Sequence, residues 1–370
     1  MRPAIRRVHL LLALTVGLFA ALSGLTGSVL VFHPELDRIL NAELRSIEPR
    51  DERPQLDAAI AAVRSRFPDE PIQFARLARA PGDTYEFWIG TELRRVYVDP
   101  YTARILGWRS EHPGVIGFIE NLHEHLLAGL TGQTILGVIG LVLLVVLGTG
   151  LYLWWPGLRK LAGAFRLRRG APWIKVNYDL HRLIGIVSFL LLFLSALTGA
   201  ALIFHRVSAG LLIATLGGTP PPAPPVIESA PPGPMLSAAV LVERAHAALP
   251  NATPTWIQPP ASPKAPFLVR LRFDSNPHPN GTTYVAVHPH TGEILALHSH
   301  RAAGVGQKAA DLRYPLHTGE ALGLAGRIAM AATGLAPTAL LVTGLSFWLI
   351  RRRPARATKR VRRESESSLA

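Results

Sequence analysis

Four stretches carry almost unbroken apolar residues over a length that crosses a bilayer, about 20 residues each. They are 10–32, 135–155, 183–204 and 324–350, the last interrupted by Pro337. Between the first two, and again between the last two, the pattern changes. Helical periodicity runs over 56–67 and 236–249, and alternating runs at 84–89, 93–98, 267–273 and 283–287 predict strands. Turns are expected at Asp99-Pro100 and His290-Thr291-Gly292, and the proline-rich run 219–234 predicts a stiff extended linker. The pattern predicts an all-α four-helix transmembrane bundle with two external α+β domains. Its divisions fall at 1–9 (N-terminus), 10–33 (span one), 34–122 (first external domain), 123–156 (span two) and 157–178 (basic loop). They continue at 179–206 (span three), 207–234 (linker), 235–315 (second external domain), 316–350 (span four) and 351–370 (basic tail).

The same pattern is written twice. At an offset of 172, His9 aligns with His181, Ser23-Gly24-Leu25-Thr26-Gly27 with Ser195-Ala196-Leu197-Thr198-Gly199, and Phe32-His33 with Phe204-His205. At an offset of 194, Leu122-His123 falls on Leu316-His317 and Thr149-Gly150-Leu151 on Thr343-Gly344-Leu345. The segments between match more loosely, Val98-Asp99-Pro100-Tyr101-Thr102 with Val287-His288-Pro289-His290-Thr291. Each half is span, external domain, span, so the expected layout is two parallel repeats about a pseudo-twofold axis along the membrane normal.

Charge then orients the chain. The formal net charge is +14, a value that elsewhere signals nucleic-acid binding. Here 17 of the 39 basic residues lie before span one, between spans two and three, or after span four, with only Glu364 and Glu366 among them. The remainder is nearly balanced, so the excess is topological: both termini and the middle loop are expected in the cytoplasm, without a nucleic-acid partner. The basic N-terminus and small residues at Ala21–Ser23 also resemble a secretory signal, but the repeat gives this segment a retained counterpart, and a retained helix is expected. With 49% hydrophobic and 17% charged residues, the lipid bilayer of a bacterial inner membrane is the expected surrounding.

The chain has no cysteine, which removes thiolate-ligated haem, iron–sulfur clusters, covalent haem attachment and disulfides. No phosphate-binding loop, dinucleotide fingerprint, nucleophile elbow or HExxH motif occurs. Metal or cofactor chemistry falls to the 14 histidines, the carboxylates or Met. Histidine at helix ends in a membrane is costly unless paired or liganded, and the repeat pairs His9 with His181, His123 with His317, and His33 with His205. A planar cofactor on the pseudo-twofold axis would meet the same residue from both halves, the requirement for bis-histidine ligation of haem b. Small residues share the histidine faces: Ala13, Gly17, Ala20, Gly24 and Gly27 with His9; Gly185, Ser188, Ala196 and Gly199 with His181. They leave room for a macrocycle, or equally let helices pack closely. Interfacial histidines without a ligand, and imidazole sites for Zn, Cu or Ni, are the other readings. For His33, His125 and His205 a direct and an interfacial role stand level. His278, His288, His290, His298 and His300 are expected to be solvated loop positions.

Several of these segments carry a resemblance. Asn121-Leu122-His123, Gly148-Thr149-Gly150-Leu151-Tyr152-Leu153-Trp154-Trp155-Pro156, Tyr178-Asp179-Leu180-His181-Arg182-Leu183-Ile184-Gly185 and Leu316-His317-Thr318-Gly319-Glu320, with His9, look like the helix signatures of the PepSY-associated transmembrane family. The external segments resemble PepSY domains. The family includes inner-membrane ferric-siderophore reductases with b-type haems, so the resemblance implies two haems b on His9, His123, His181 and His317. It also implies a periplasmic ferric siderophore or other ferric chelate as substrate. No nicotinamide or flavin site is visible, so a cytoplasmic reductase or a quinol would supply electrons. His9 to His33 is 24 residues, about 36 Å of helix, enough to reach both faces. A haem-free scaffold or regulator binding a periplasmic partner, or a transporter, is the alternative.

Overall fold

The computed structural model describes residues 1–112, 114–228 and 233–352. The basic tail from Arg353, including Glu364 and Glu366, and part of the proline-rich linker lie outside the described residues.

The chain opens with α1 (Arg2–Leu30), then α2 (His33–Leu40), α3 (Ala42–Arg45) and α4 (Leu56–Arg66). Four strands follow: β1 (Ile72–Arg76), β2 (Tyr85–Ile89), β3 (Arg94–Val98) and β4 (Ile105–Arg109). Next come α5 (Gly114–His125), α6 (Gly129–Trp154), α7 (Trp173–Ile203), α8 (His205–Leu216) and α9 (Ala238–Ala248). Four more strands are β5 (Ala252–Gln258), β6 (Phe267–Phe273), β7 (Thr283–Val287) and β8 (Ile294–His298). The order closes with α10 (Val305–Asp311), α11 (Arg313–Thr318), α12 (Gly323–Gly334) and α13 (Ala336–Arg352).

These elements form two compact units. The helical unit comprises 1–28, 134–200 and the chain from 330. Four helical stretches are long and apolar enough to cross a membrane: Arg2–Leu30, Gly129–Trp154, Trp173–Ile203 and Glu320–Arg351. The protein is a multi-pass membrane protein. Val16 packs with Ile139 and Val146, and Leu147 with Leu192 and Ala336. Meanwhile Leu18, Val187 and Leu190 stay more than 65% exposed, as side chains facing lipid do. The fourth span is broken where Pro337 cannot donate a backbone hydrogen bond, between α12 and α13. At that break α1 crosses closely: a Cβ on Gly24 would strike the Gly334 carbonyl, and Ser28 Oγ donates to Ala331 O at 2.7 Å. Gly17 likewise faces Leu341, where a Cβ would sit 3.0 Å from Cδ1. Gly17 and Gly24 are therefore used for helix packing.

The sheet unit comprises 29–133 and 201–329. All eight strands join in one antiparallel sheet, ordered β4-β3-β2-β1-β5-β6-β7-β8. The two sheet-forming segments do not close as separate domains. β1 pairs with β5, Ala75 opposite Ile257 and Arg76 opposite Trp256, which removes an open edge from each half. One core holds both: Ala59 and Val63 of α4 and Leu241 and Ala245 of α9 cover Phe87, Val96, Ile257 and Val269 on one sheet face. Asp57 of α4 accepts from the backbone N–H groups of Ala238 and Ala239 at 2.6 and 3.2 Å, capping α9 from the other half.

The expected helices and the strands at 85–89, 94–98, 267–273 and 283–287 are present. β1, β4, β5 and β8 were hidden from the alternation pattern; β5 contains Pro254 and has a register shift beside it. The first ten residues of the expected linker, 207–216, are helical within α8. The two expected turns are built alike. Asp99 Oδ1 accepts from Tyr101 N at 2.8 Å, and His288 Nδ1 accepts from His290 N and Thr291 N at 3.2 and 3.3 Å. Ala103 and Gly292 then take left-handed backbone, φ +55° and +74°.

Candidate functional site

His9 lies in the second turn of α1. Its Nδ1 is 3.1 Å from Val146 O and 3.0 Å from Thr149 Oγ1 on α6. A carbonyl only accepts, so Nδ1 carries the proton and donates. Thr149 Oγ1 gives its own proton to Val145 O or Val146 O, leaving its lone pair for the ring. The tautomer is thereby set, and the unprotonated Nε2 keeps a lone pair that can accept a hydrogen bond or bind a metal. The adjacent Gly150 makes room: a Cβ there would lie 3.2 Å from His9 Cε1.

His181, on α7, repeats this arrangement against α13. Its Nδ1 is 2.9 Å from Thr343 Oγ1, whose hydroxyl donates to Ala339 O at 2.7 Å. A Cβ on the neighbouring Gly344 would lie 3.2 Å from His181 Cε1. Two buried polar residues anchor this part of α7. Asn177, 1% exposed, donates to Thr343 O at 2.8 Å. Asp179, equally buried, accepts from Arg168 Nε and Nη2 at 2.8 and 2.7 Å.

In the sheet unit His123 and His317 come together, their ring centroids 6.3 Å apart and planes at 43°. Neither begins a membrane span, as the pattern of apolar residues had suggested. His123 sits on α5, which ends where Leu126 and Leu127 take left-handed backbone, φ +49° and +58°. His317 sits on α11, stopped by Gly319 at φ +84°, the usual αL helix terminator.

The remaining candidates separate. His33 Nδ1 donates to Leu30 O at 3.0 Å, and burial holds the ring below its ordinary pKa, with Arg76 and Arg45 adding to the effect and Glu120 opposing it. His125 stands 6.0 Å from His112 rather than with His123's partner. The His205 side chain is exposed, and its carbonyl accepts from Arg313. Among the loop histidines, His288 is buried in its turn and His278 is half-buried against Tyr314. Burial and the nearby Arg270, Arg79 and Arg272 push His278 down to about 3. Both are structural, but they are less solvated than expected because Nδ1 of each serves as a turn acceptor. Among the described residues no group of three or more His, Asp or Glu side chains could hold a metal ion.

Thr149 and Thr343 were visible in the sequence as part of the repeat, yet nothing there linked them to the histidines. A hydroxyl 140 residues from His9 becomes its partner only when the helices pack.

Four membrane-spanning helices with an antiparallel sheet unit define a multi-pass membrane protein. The model of the PepSY-associated TM region matches residues 6–351, and the chain belongs to that family. Comparison with curated proteins returns no match.

Proposed function

We propose that this protein is a transmembrane electron carrier of the bacterial inner membrane that holds two haems b and reduces a ferric chelate on the periplasmic side. The observation that supports this most strongly is the pair of threonine-locked imidazoles, His9 and His181. Each commits Nδ1–H to a neighbouring helix and keeps Nε2 for a metal. The residues fit a haem in three respects. His9 and His181 carry a proton on Nδ1, which leaves Nε2 for a metal. Gly150 and Gly344 leave the ring edges uncrowded. The His123 and His317 rings, with centroids 6.3 Å apart, lie near enough that both could serve one haem.

His9 and His181 would hold one haem, and His123 and His317 the other. Bound there, haem iron supplies reversible one-electron chemistry. The chain's own residues orient the ligands: Thr149 and Thr343 fix ring rotation, while Asn177 ties the helix bearing His181 to its neighbour. The paired histidine settings and the sheet order, which runs outward from β1 and β5, support two parallel repeats. The basic segments support a cytoplasmic middle loop and termini, with electrons arriving from a cytoplasmic reductase or quinol.

The test is the optical spectrum of the purified, dithionite-reduced protein with a haem-to-protein ratio. Sharp b-type bands at two haems per chain are expected. A colourless, folded protein made with ample haem would overturn the reading and leave a haem-free scaffold or transporter. Ferric chelates added on the periplasmic side of oriented vesicles should then reoxidise the reduced protein and yield Fe(II).

A further inference from the structure

The sheet unit holds a cleft of about 240 Å³ with Arg38, Arg45, Arg76 and Arg79 on its wall, against Glu35 and Asp83. The two carboxylates are engaged elsewhere. Glu35 is bound by both terminal nitrogens of Arg327 at 2.7 Å, and Asp83 accepts from Arg38 and from the backbone N–H groups of Arg79 and Ala80.

Behind the wall lies a buried network in which cations outnumber anions. Glu86, 1% exposed, serves Arg45 at 2.7 Å, Arg76 and the Tyr97 hydroxyl. Asp37 is gripped by both terminal nitrogens of Arg109 at 2.8 and 2.9 Å and approached by Arg45 at 3.4 Å. Three arginines thus share two carboxylates. The Nε atoms of Arg95 and Arg109 are buried without an acceptor. Arg79, at the cleft mouth, has a neutral partner in Asn280. Burial, with Arg45 and Arg95 close by, holds Arg76 below the ordinary arginine value even though it touches Glu86.

The cleft therefore presents more guanidinium groups than carboxylates to offset them: Arg45 and Arg76 share Glu86, and the Arg79 side chain is bound by a neutral amide. Guanidinium forks match planar carboxylates in bidentate fashion. The volume holds several waters, at about 30 Å³ each, but is smaller than the range of about 300–1,000 Å³ typical of sites that enclose a whole drug-sized ligand. It suits the carboxylate arms of a ligand better than a bulky chelate.

We infer that this arginine cleft binds the carboxylate groups of a small polycarboxylate, so that the ferric chelates accepted are anionic polycarboxylate complexes. The substrate class rests on the ferric-chelate reading above; the binding itself does not. Calorimetric titration of the full-length, haem-loaded protein in detergent, at constant ionic strength, tests it with citrate, redox-inert gallium(III) citrate and inorganic phosphate. Gallium citrate should bind more tightly than phosphate, and Arg76→Gln and Arg79→Gln should each weaken it about tenfold. Arg79 is exposed and its side chain makes one hydrogen bond among the described residues, so its variant stays informative if Arg76→Gln unfolds the sheet. No citrate or gallium citrate binding, phosphate binding as tight, or wild-type affinity in the Arg79→Gln variant would overturn the inference. Failure of the parent reading shows separately: no ferric chelate, including a neutral hydroxamate complex, would reoxidise the reduced protein, while gallium citrate binding would persist.

Discussion

In the helical unit each histidine hangs from a long span and is fixed by a threonine and a glycine that follow one another on a neighbouring span. In the sheet unit His123 and His317 instead ride on short helices that end within a few residues of the ring, and they meet each other directly. The first arrangement draws its rigidity from packed helices, where a ring can be oriented by groups far away in sequence. The second relies on chain reversals, with left-handed residues at Leu126, Leu127 and Gly319 setting where each ring falls. Two ways of presenting an imidazole thus coexist in one chain, and they should fail differently.

The largest expected effect separates the regions outright. His9→Ala with His181→Ala should lower the haem content from two per chain to one, and His123→Ala with His317→Ala should remove the other. Haem quantified against protein in both doubles checks this. Full retention in the second double would transfer the role to His33, since the His205 side chain is exposed.

Next in size is the buried charge of the sheet unit. Glu86→Gln leaves Arg45 and Arg76 without their shared anion and should cost about 3–5 kcal/mol of the sheet unit's stability. Denaturant unfolding followed by tryptophan fluorescence would measure the loss, and haem at His9 and His181 should survive it. Acid probes the same network. Burial alone would raise the Glu86 and Asp37 carboxyls, but their arginines outweigh it and hold both below the usual carboxylate range. Folded values below unfolded ones stabilise fully above about pH 4 and cease to do so as the pH falls through the folded values. As the pH falls below about 6.5, the buried His33 and His278, both lowered, already reduce the thermal midpoint of the sheet unit, and the carboxylate network should add a further drop below about pH 4. Glu86→Gln should shrink that drop.

Thr149→Val and Thr343→Val sharpen the contrast at a smaller scale. Loss of the orienting hydroxyl should weaken haem retention at His9 and His181 by about 10–100-fold, with the serine variants near wild type. Haem transfer to apomyoglobin would read it, and the haem at His123 and His317 should leave at an unchanged rate. The smallest effect concerns the paired turns. Ala103 occupies the left-handed position that Gly292 fills in the second turn, so Ala103→Gly should stabilise the sheet unit by about 0.5–1 kcal/mol.

The spans, the helices over α4 and α9 and half of the strands follow from the order of residues alone. Continuous apolar runs and strict alternation are local properties, and local periodicity decides them. The nearness of His123 and His317 was legible too, because like residues recur there at like offsets. Packing between distant segments was not. The joining of eight strands into one sheet depends on β1 finding β5, a match between two edges 180 and 182 residues apart at their paired positions that no single run of residues encodes. The same holds for Thr149 beside His9, for Gly24 used as a helix crossing, and for the arginines gathered from α2, α3 and the β1 region around one cleft. Hydrogen bonds and charge pairs of this kind act over a few ångströms, so they exist only once the chain has folded.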